Sequence, residues 1–167
     1  MEFWRRNILI DEEQLEEVST ALLSIRDSYD YSRGHFSSYY LDWDKRPEQV
    51  FQECYGNILD KVAYDLHMQR DYRFSFWMQI YPIGSHHPTH DHLSPNALYS
   101  WVHFTNPADL KLFYWVGSDG RHYIPEQRKG DFIVFPSWLK HGVYKNDSHR
   151  LRSVIAGNVM VETKNDL

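Results

Sequence analysis

Apolar residues follow two different spacings along the chain, and the spacing changes near residue 71. Before that point they recur at helical intervals. Leu15, Val18, Leu22 and Ile25 lie three or four residues apart, with Glu12, Glu13, Glu16 and Glu17 on the opposite, wet face. Asp11 stands ahead of the run as a cap, Gln14 follows three residues later, and the acidic first turn suits the helix dipole. A second stripe of Phe51, Cys54, Ile58, Val62 and Leu66 follows Pro47, a residue suited to opening a helix. Two helices are therefore expected, separated by a polar, aromatic and irregular stretch over residues 28–46 that includes Tyr29-Asp30-Tyr31-Ser32-Arg33-Gly34-His35.

Beyond residue 71 the pattern is that of short strands. Arg73 to Tyr81 is rich in aromatic and β-branched residues and stops at Pro82. Further strands are expected over Ala97–Thr105, Leu110–Val116, Arg121–Ile124 and Arg150–Val161, with Gly117-Ser118-Asp119-Gly120 as a turn. Phe132 to Phe135 is short and wholly apolar, which marks a strand buried on both faces. Many short strands at close spacing predict a sandwich or barrel. The expectation is one domain over residues 1–167, with helical support over 1–70 and a β core over 71–163.

Composition narrows this picture little, except in aromatics. Of 167 residues, 42% are hydrophobic and 25% charged, an ordinary globular balance, but 16% are aromatic, which suits strand-rich cores and walled pockets. A net charge of −5 argues against a basic nucleic-acid surface. The single cysteine, Cys54, has no partner for an intrachain disulfide and reads as a small core residue. No apolar run spans a bilayer, and the first residues lack the apolar segment of a signal peptide, so a cytoplasmic protein is expected. Oligomeric state is left open.

Chemistry enters with the histidines. Four of them, His86, His87, His90 and His92, fall within seven residues, after Gly84. In an extended segment His90 and His92 project from the same face and can converge on one ion. His141, which follows the apolar strand and Pro136, is the candidate third ligand. Three ligands on one face leave open positions, the arrangement of non-haem iron(II), although that set normally contains one carboxylate. His86 and His87 are expected to be loop or supporting residues.

These residues resemble the iron(II)- and 2-oxoglutarate-dependent oxygenases, in particular the prolyl-hydroxylase-like branch of bacteria and viruses. Tyr81-Pro82-Ile83-Gly84 leads into His90-Asp91-His92, and Ser100-Trp101-Val102-His103-Phe104 is similar to the strand that follows in that branch. Gly130 to His141 matches the second half of its pattern nearly residue for residue: Gly-Asp, four apolar residues, then Pro-Ser-Trp-Leu-x-His. The likeness covers residues 77–160. It implies a double-stranded β-helix, that is, a jelly-roll or cupin-like barrel, mainly β with N-terminal helices. It also implies Fe(II), 2-oxoglutarate as cosubstrate and O2, with no catalytic side chain beyond the metal centre.

The likeness further implies a guanidinium about ten residues past the last histidine, to take the distal carboxylate of 2-oxoglutarate in two-pronged fashion. Arg152 fits best by its distance from Asn158, Arg150 is the alternative, and Tyr81 is a candidate helper. One departure stands out: His92 occupies the position of the usual carboxylate, and Asp91 is one residue out of register, so the third ligand is either of these. The expected substrate is an amino acid, a peptide or another small molecule, and residues 28–46 are expected to lie over the barrel mouth.

Two other readings compete. Gly84-x5-His90-x-His92 also resembles the cupin pattern, but Leu93 to Ser100 lacks the cupin glutamate and Trp138 replaces a glycine. A non-catalytic jelly roll would use its aromatics as stacking platforms.

Overall fold

In the computed structural model, the residues described are 2–8, 10, 13, 16, 35–68 and 71–162. The long strands carry large apolar side chains on both faces, so each must be covered twice. β4 (Trp77–Tyr81) turns Met78 and Ile80 one way and Trp77 and Tyr81 the other. β9 (Asp131–Pro136) does the same with Phe132 and Val134 against Ile133 and Phe135, and all six of its residues are buried. β11 (Arg152–Val161) alternates likewise, Ile155 and Val159 on one side, Val154 and Ala156 on the other. A period of two carries neighbours to opposite faces, so two apolar layers are built from one run.

These strands belong to a seven-stranded antiparallel sheet with β1 (Trp4–Asn7), β2 (Phe36–Ser37), β3 (Tyr72–Phe74) and β6 (Ala97–Asn106), in the order β1-β9-β6-β11-β4-β2, with β3 also on β11. One face is covered by the helix α1 (Glu48–Asp65), which buries Phe51, Tyr55, Leu59 and Val62. The other face meets a four-stranded sheet ordered β5-β10-β7-β8, made of β5 (His87–His90), β7 (Phe113–Val116), β8 (His122–Tyr123) and β10 (His141–Val143). Phe113, Trp115 and Val143 close that second layer. Burying each such side chain contributes about 1.5–3 kcal/mol, so the double coverage accounts for most of the drive to fold.

Three expectations are corrected. The helical N-terminal third is not borne out as such: one α-helix stands among the described residues, and β1 and β2 from that third join the large sheet. The expected helix over 11–25 lies outside the described residues, apart from Glu13 and Glu16. The buried stripe of α1 is centred on Tyr55 and Leu59, with Cys54, Ile58 and Leu66 half-buried at its flanks, because the helix is rolled to seat Tyr55 on Trp101 and Phe132. Finally, the barrel is not closed. The two sheets remain separate ladders that meet through side chains, and edge strands as short as β2 and β8, two residues each, cannot bridge them. Among the described residues, no helix is long and apolar enough to cross a membrane.

Candidate metal centre

His141 is placed by the core. The left-handed turn at Gly130 (φ 87°) delivers the chain into β9, and Asp131 is fixed there by Arg5 Nη1 at 2.9 Å, Asn7 Nδ2 at 3.2 Å and the Arg128 amide at 3.1 Å. The Gly-Asp pair of the motif is thus a structural joint. After β9 a turn closes with the Leu139 amide on the Pro136 carbonyl at 3.0 Å, and β10 begins at His141. His141 is buried against Phe113 and Phe135.

His90 ends β5 and is the antiparallel partner of His141. His92 lies just past the strand, and its amide donates to the Ser137 carbonyl at 2.9 Å, which ties the two histidine-bearing segments together. Ring centroids are 4.4 Å apart for His90 and His141, 5.1 Å for His90 and His92, and 5.2 Å for His92 and His141. One ring nitrogen from each lies within 4.8 Å of the others.

Hydrogen bonds set the tautomers of two of the rings. Nδ1 of His90 is 2.8 Å from the Pro88 carbonyl and Nδ1 of His141 is 2.9 Å from the Leu139 carbonyl. A carbonyl only accepts, so both Nδ1 atoms carry the proton and each Nε2 keeps its lone pair for a ligand. His92 has no such hydrogen bond among the described residues and rests on Trp77. Desolvation, and then neighbouring histidines, push His141 well below the ordinary imidazole value and His92 down to about 4, and burial also lowers His90. Three neutral imidazoles held together are the form a divalent transition metal requires. Asp91 is not part of the group: its Oδ1 accepts from the Leu93 amide at 3.2 Å.

His90, His92 and His141 line one cavity, and Tyr81 and Arg152 line it too. Arg152 is fully buried, and none of its three guanidinium nitrogens has a hydrogen-bond partner among the described residues. Its guanidinium lies over the faces of Tyr81 and Phe104, at 5.1 and 5.8 Å. Burial lowers its pKa to about 10, so it keeps its charge at neutral pH. A buried cation left unpaired costs several kcal/mol, and five unused donors fit an absent carboxylate. Arg150, by contrast, precedes β11 and pairs with Asp109 on the surface at 2.8 Å. Tyr81, also fully buried, donates to Gln79 Oε1 at 2.7 Å and is kept neutral by burial.

His87, expected as a supporting or loop residue, and His35, which sequence reasoning missed, also lie beside this site. His87 stacks on His90 at 4.0 Å and His35 lies 4.1 Å from His87, while His86 is exposed. The density of histidines gave a signal for His87; nothing in the spacing pointed to His35. Of the segment expected over the barrel mouth, Tyr39 and Tyr40 line an open groove together with Gln79, His87 and His92. Residues 28–34 of that segment lie outside the described residues.

No protein-family model matches the chain, and no curated protein matches it by sequence. Solved structures do match. A Pseudomonas putida prolyl-4-hydroxylase is 15% identical with a TM-score of 0.66, covering 96% of this chain and 92% of its own. The viral collagen prolyl hydroxylase of Paramecium Bursaria Chlorella virus-1, solved as a 2-oxoglutarate complex, is 12% identical with a TM-score of 0.66, covering 95% and 96%. A Trichoplax adhaerens prolyl hydroxylase, solved with a hypoxia inducible factor peptide fragment, is 11% identical with a TM-score of 0.65, covering 95% and 83%. At these identities the likeness is one of architecture, and the chain has the fold of the iron(II)- and 2-oxoglutarate-dependent oxygenases.

Proposed function

We propose that residues 1–167 form one non-haem iron(II)- and 2-oxoglutarate-dependent dioxygenase domain that hydroxylates an amino-acid, peptide or other small-molecule substrate in the cytoplasm. The observation that carries this reading is the pairing, in one cavity, of three neutral imidazoles with a buried guanidinium that has no hydrogen-bond partner among the described residues. A structural arginine would have found an acceptor; one kept charged and unpaired beside a ligand cluster is poised for a carboxylate.

His90, His92 and His141 would hold the metal from one side, leaving positions for cosubstrate and O2. Bound iron(II), with 2-oxoglutarate and O2, supplies the oxidising chemistry, and the cosubstrate leaves as succinate and carbon dioxide. Arg152 binds the distal carboxylate and so orients the rest of the molecule toward the histidines; Tyr81, its ring against the guanidinium, shapes that end. Val102, Phe135 and Val154 wall the cavity, keep water out and strengthen the ion pair. The groove edged by Tyr39 and Tyr40 would receive the substrate.

The test is anaerobic titration with iron(II), followed by measurement of succinate release from 2-oxoglutarate in air. One iron per chain and succinate release that demands a higher 2-oxoglutarate concentration in Arg152→Ala are expected. Iron binding with no 2-oxoglutarate consumption would favour a cupin-type enzyme, and no iron binding would favour a ligand-binding jelly roll.

A further inference from the structure

β5, which carries His90, is an edge strand among the described residues: it pairs there with β10 alone, and that ladder is irregular between His141 and Val143. A strand so held has few backbone bonds to fix its position. A side chain from one strand further in makes up the deficit. Tyr114 of β7 is the partner of Gly142 in β10. Its phenol passes over Gly142, where a Cβ would lie 2.5 Å from the tyrosine oxygen and 3.1 Å from the His87 carbonyl. The hydroxyl thereby reaches Thr89 Oγ1 on β5 at 2.8 Å. The Tyr114 ring is itself held in a stack, 4.1 Å from His122 and 4.4 Å from Tyr144, and His122 Nδ1 meets the Tyr144 hydroxyl.

We propose that Tyr114 is a positioning residue for the metal centre, a strap across Gly142 that locks β5 to β7 and so fixes His90 against its partner His141. Glycine at 142 is required because any side chain there displaces the strap. The inference rests on the metal-centre reading above, since it gives the strap its purpose, but the strap itself is a mechanical claim about β5.

Both parts are tested in the whole chain with Tyr114→Phe, Thr89→Val, Thr89→Ser and the Tyr114→Phe/Thr89→Val double variant. Cobalt(II) affinity, read by its ligand-field spectrum, should fall about tenfold in Tyr114→Phe and in Thr89→Val, the range typical of groups that orient metal ligands. Thr89→Ser, which keeps the hydroxyl, should bind as the parent does, and the double variant should be no weaker than either single one. In the metal-free protein, amide exchange over residues 87–90 should quicken in Tyr114→Phe while β9 and β11 stay protected. Unchanged affinity, or losses that multiply in the double variant, would overturn the positioning role. If the parent protein binds no metal, the metal-centre reading fails, and exchange then judges the strap alone: unaltered protection of residues 87–90 would refute it.

Discussion

The two segments that deliver histidines to the cavity are built differently. His141 hangs from β9 and β10, strands inside the molecule, with Phe113 and Phe135 against its ring and a backbone carbonyl on its Nδ1. His90 and His92 come from an edge strand and the loop after it, where Pro88 and Thr89 are exposed and the ladder slips. A core strand fixes a side chain through packing on both faces, whereas an edge strand needs added ties: the Ser137 carbonyl on the His92 amide, the stacked His87 ring, and the hydroxyl pair of Tyr114 and Thr89.

Removing ligands should break the comparison most strongly. His141→Ala and His90→Ala are expected to abolish succinate formation and to lower iron(II) affinity by at least about a hundredfold, since each removes a nitrogen whose tautomer is already set. His92→Ala should lower it less, because nothing orients that ring through its nitrogens. Asp91→Asn should leave affinity unchanged. Isothermal titration under argon ranks the four, and an Asp91 effect equal to that of His141 would reverse the ligand assignment.

Packing behind the two segments should differ next. Phe135→Ala is expected to cost about 3–5 kcal/mol in urea unfolding, the usual loss for a buried aromatic. Pro88→Ala on the exposed edge should stay within about 0.5 kcal/mol. Equal losses would mean that the edge strand is as much a part of the core as β9.

Acid should act on the core side through His103. Its Nε2 lies 3.3 Å from the Ile8 carbonyl, so its Nδ1 accepts from the Tyr55 hydroxyl at 2.7 Å, and the ring is neutral. Burial, the main cause, lowers its pKa to about 4. Because the unfolded ring titrates near 6.5, the unfolded chain binds the extra proton between the two values, so this stabilisation is complete above about pH 6.5 and is lost as pH falls toward 4. The amount is about 3 kcal/mol, and stability curves of the parent and His103→Gln, measured across that window, should converge at its acid end.

Arg152→Leu sharpens the contrast from inside the cavity. It should raise the melting temperature of the ligand-free protein by a few degrees, because it removes an uncompensated buried charge, and should abolish the rise in melting temperature that 2-oxoglutarate gives the parent. Arg150→Leu, on the surface, should do neither.

Much of this is legible in the amino-acid sequence. The β-rich half was readable because aromatic and β-branched runs broken by glycine and proline have few alternatives, and the strands at 97–106, 131–136 and 152–161 fall close to their expected bounds. The motif from Gly130 to His141 was readable because its parts lie close in sequence and share one rigid strand and turn. Strands β1 and β2 were not readable: each is short and pairs with residues far along the chain, so its evidence lies in the partner. His35 was invisible for the same reason, since it meets His87 only through folding. The preference for Arg152 over Arg150 rests on a count of residues; in the structure Arg150 pairs with Asp109 at the surface, whereas Arg152 is buried without a hydrogen-bond partner among the described residues.

The sequence by itself determined that histidines would gather and that the last of them would follow a strand buried on both faces. These follow from local spacing and from the cost of exposing apolar runs, whereas the arginine beyond that histidine was implied by the family resemblance. Only the tertiary structure decided which nitrogens converge, that Asp91 turns to its own loop, and that the guanidinium of Arg152 faces the cavity unpaired. Those outcomes depend on the slip between β5 and β10 and on the packing of two sheets, which join residues too distant along the chain for spacing to relate them.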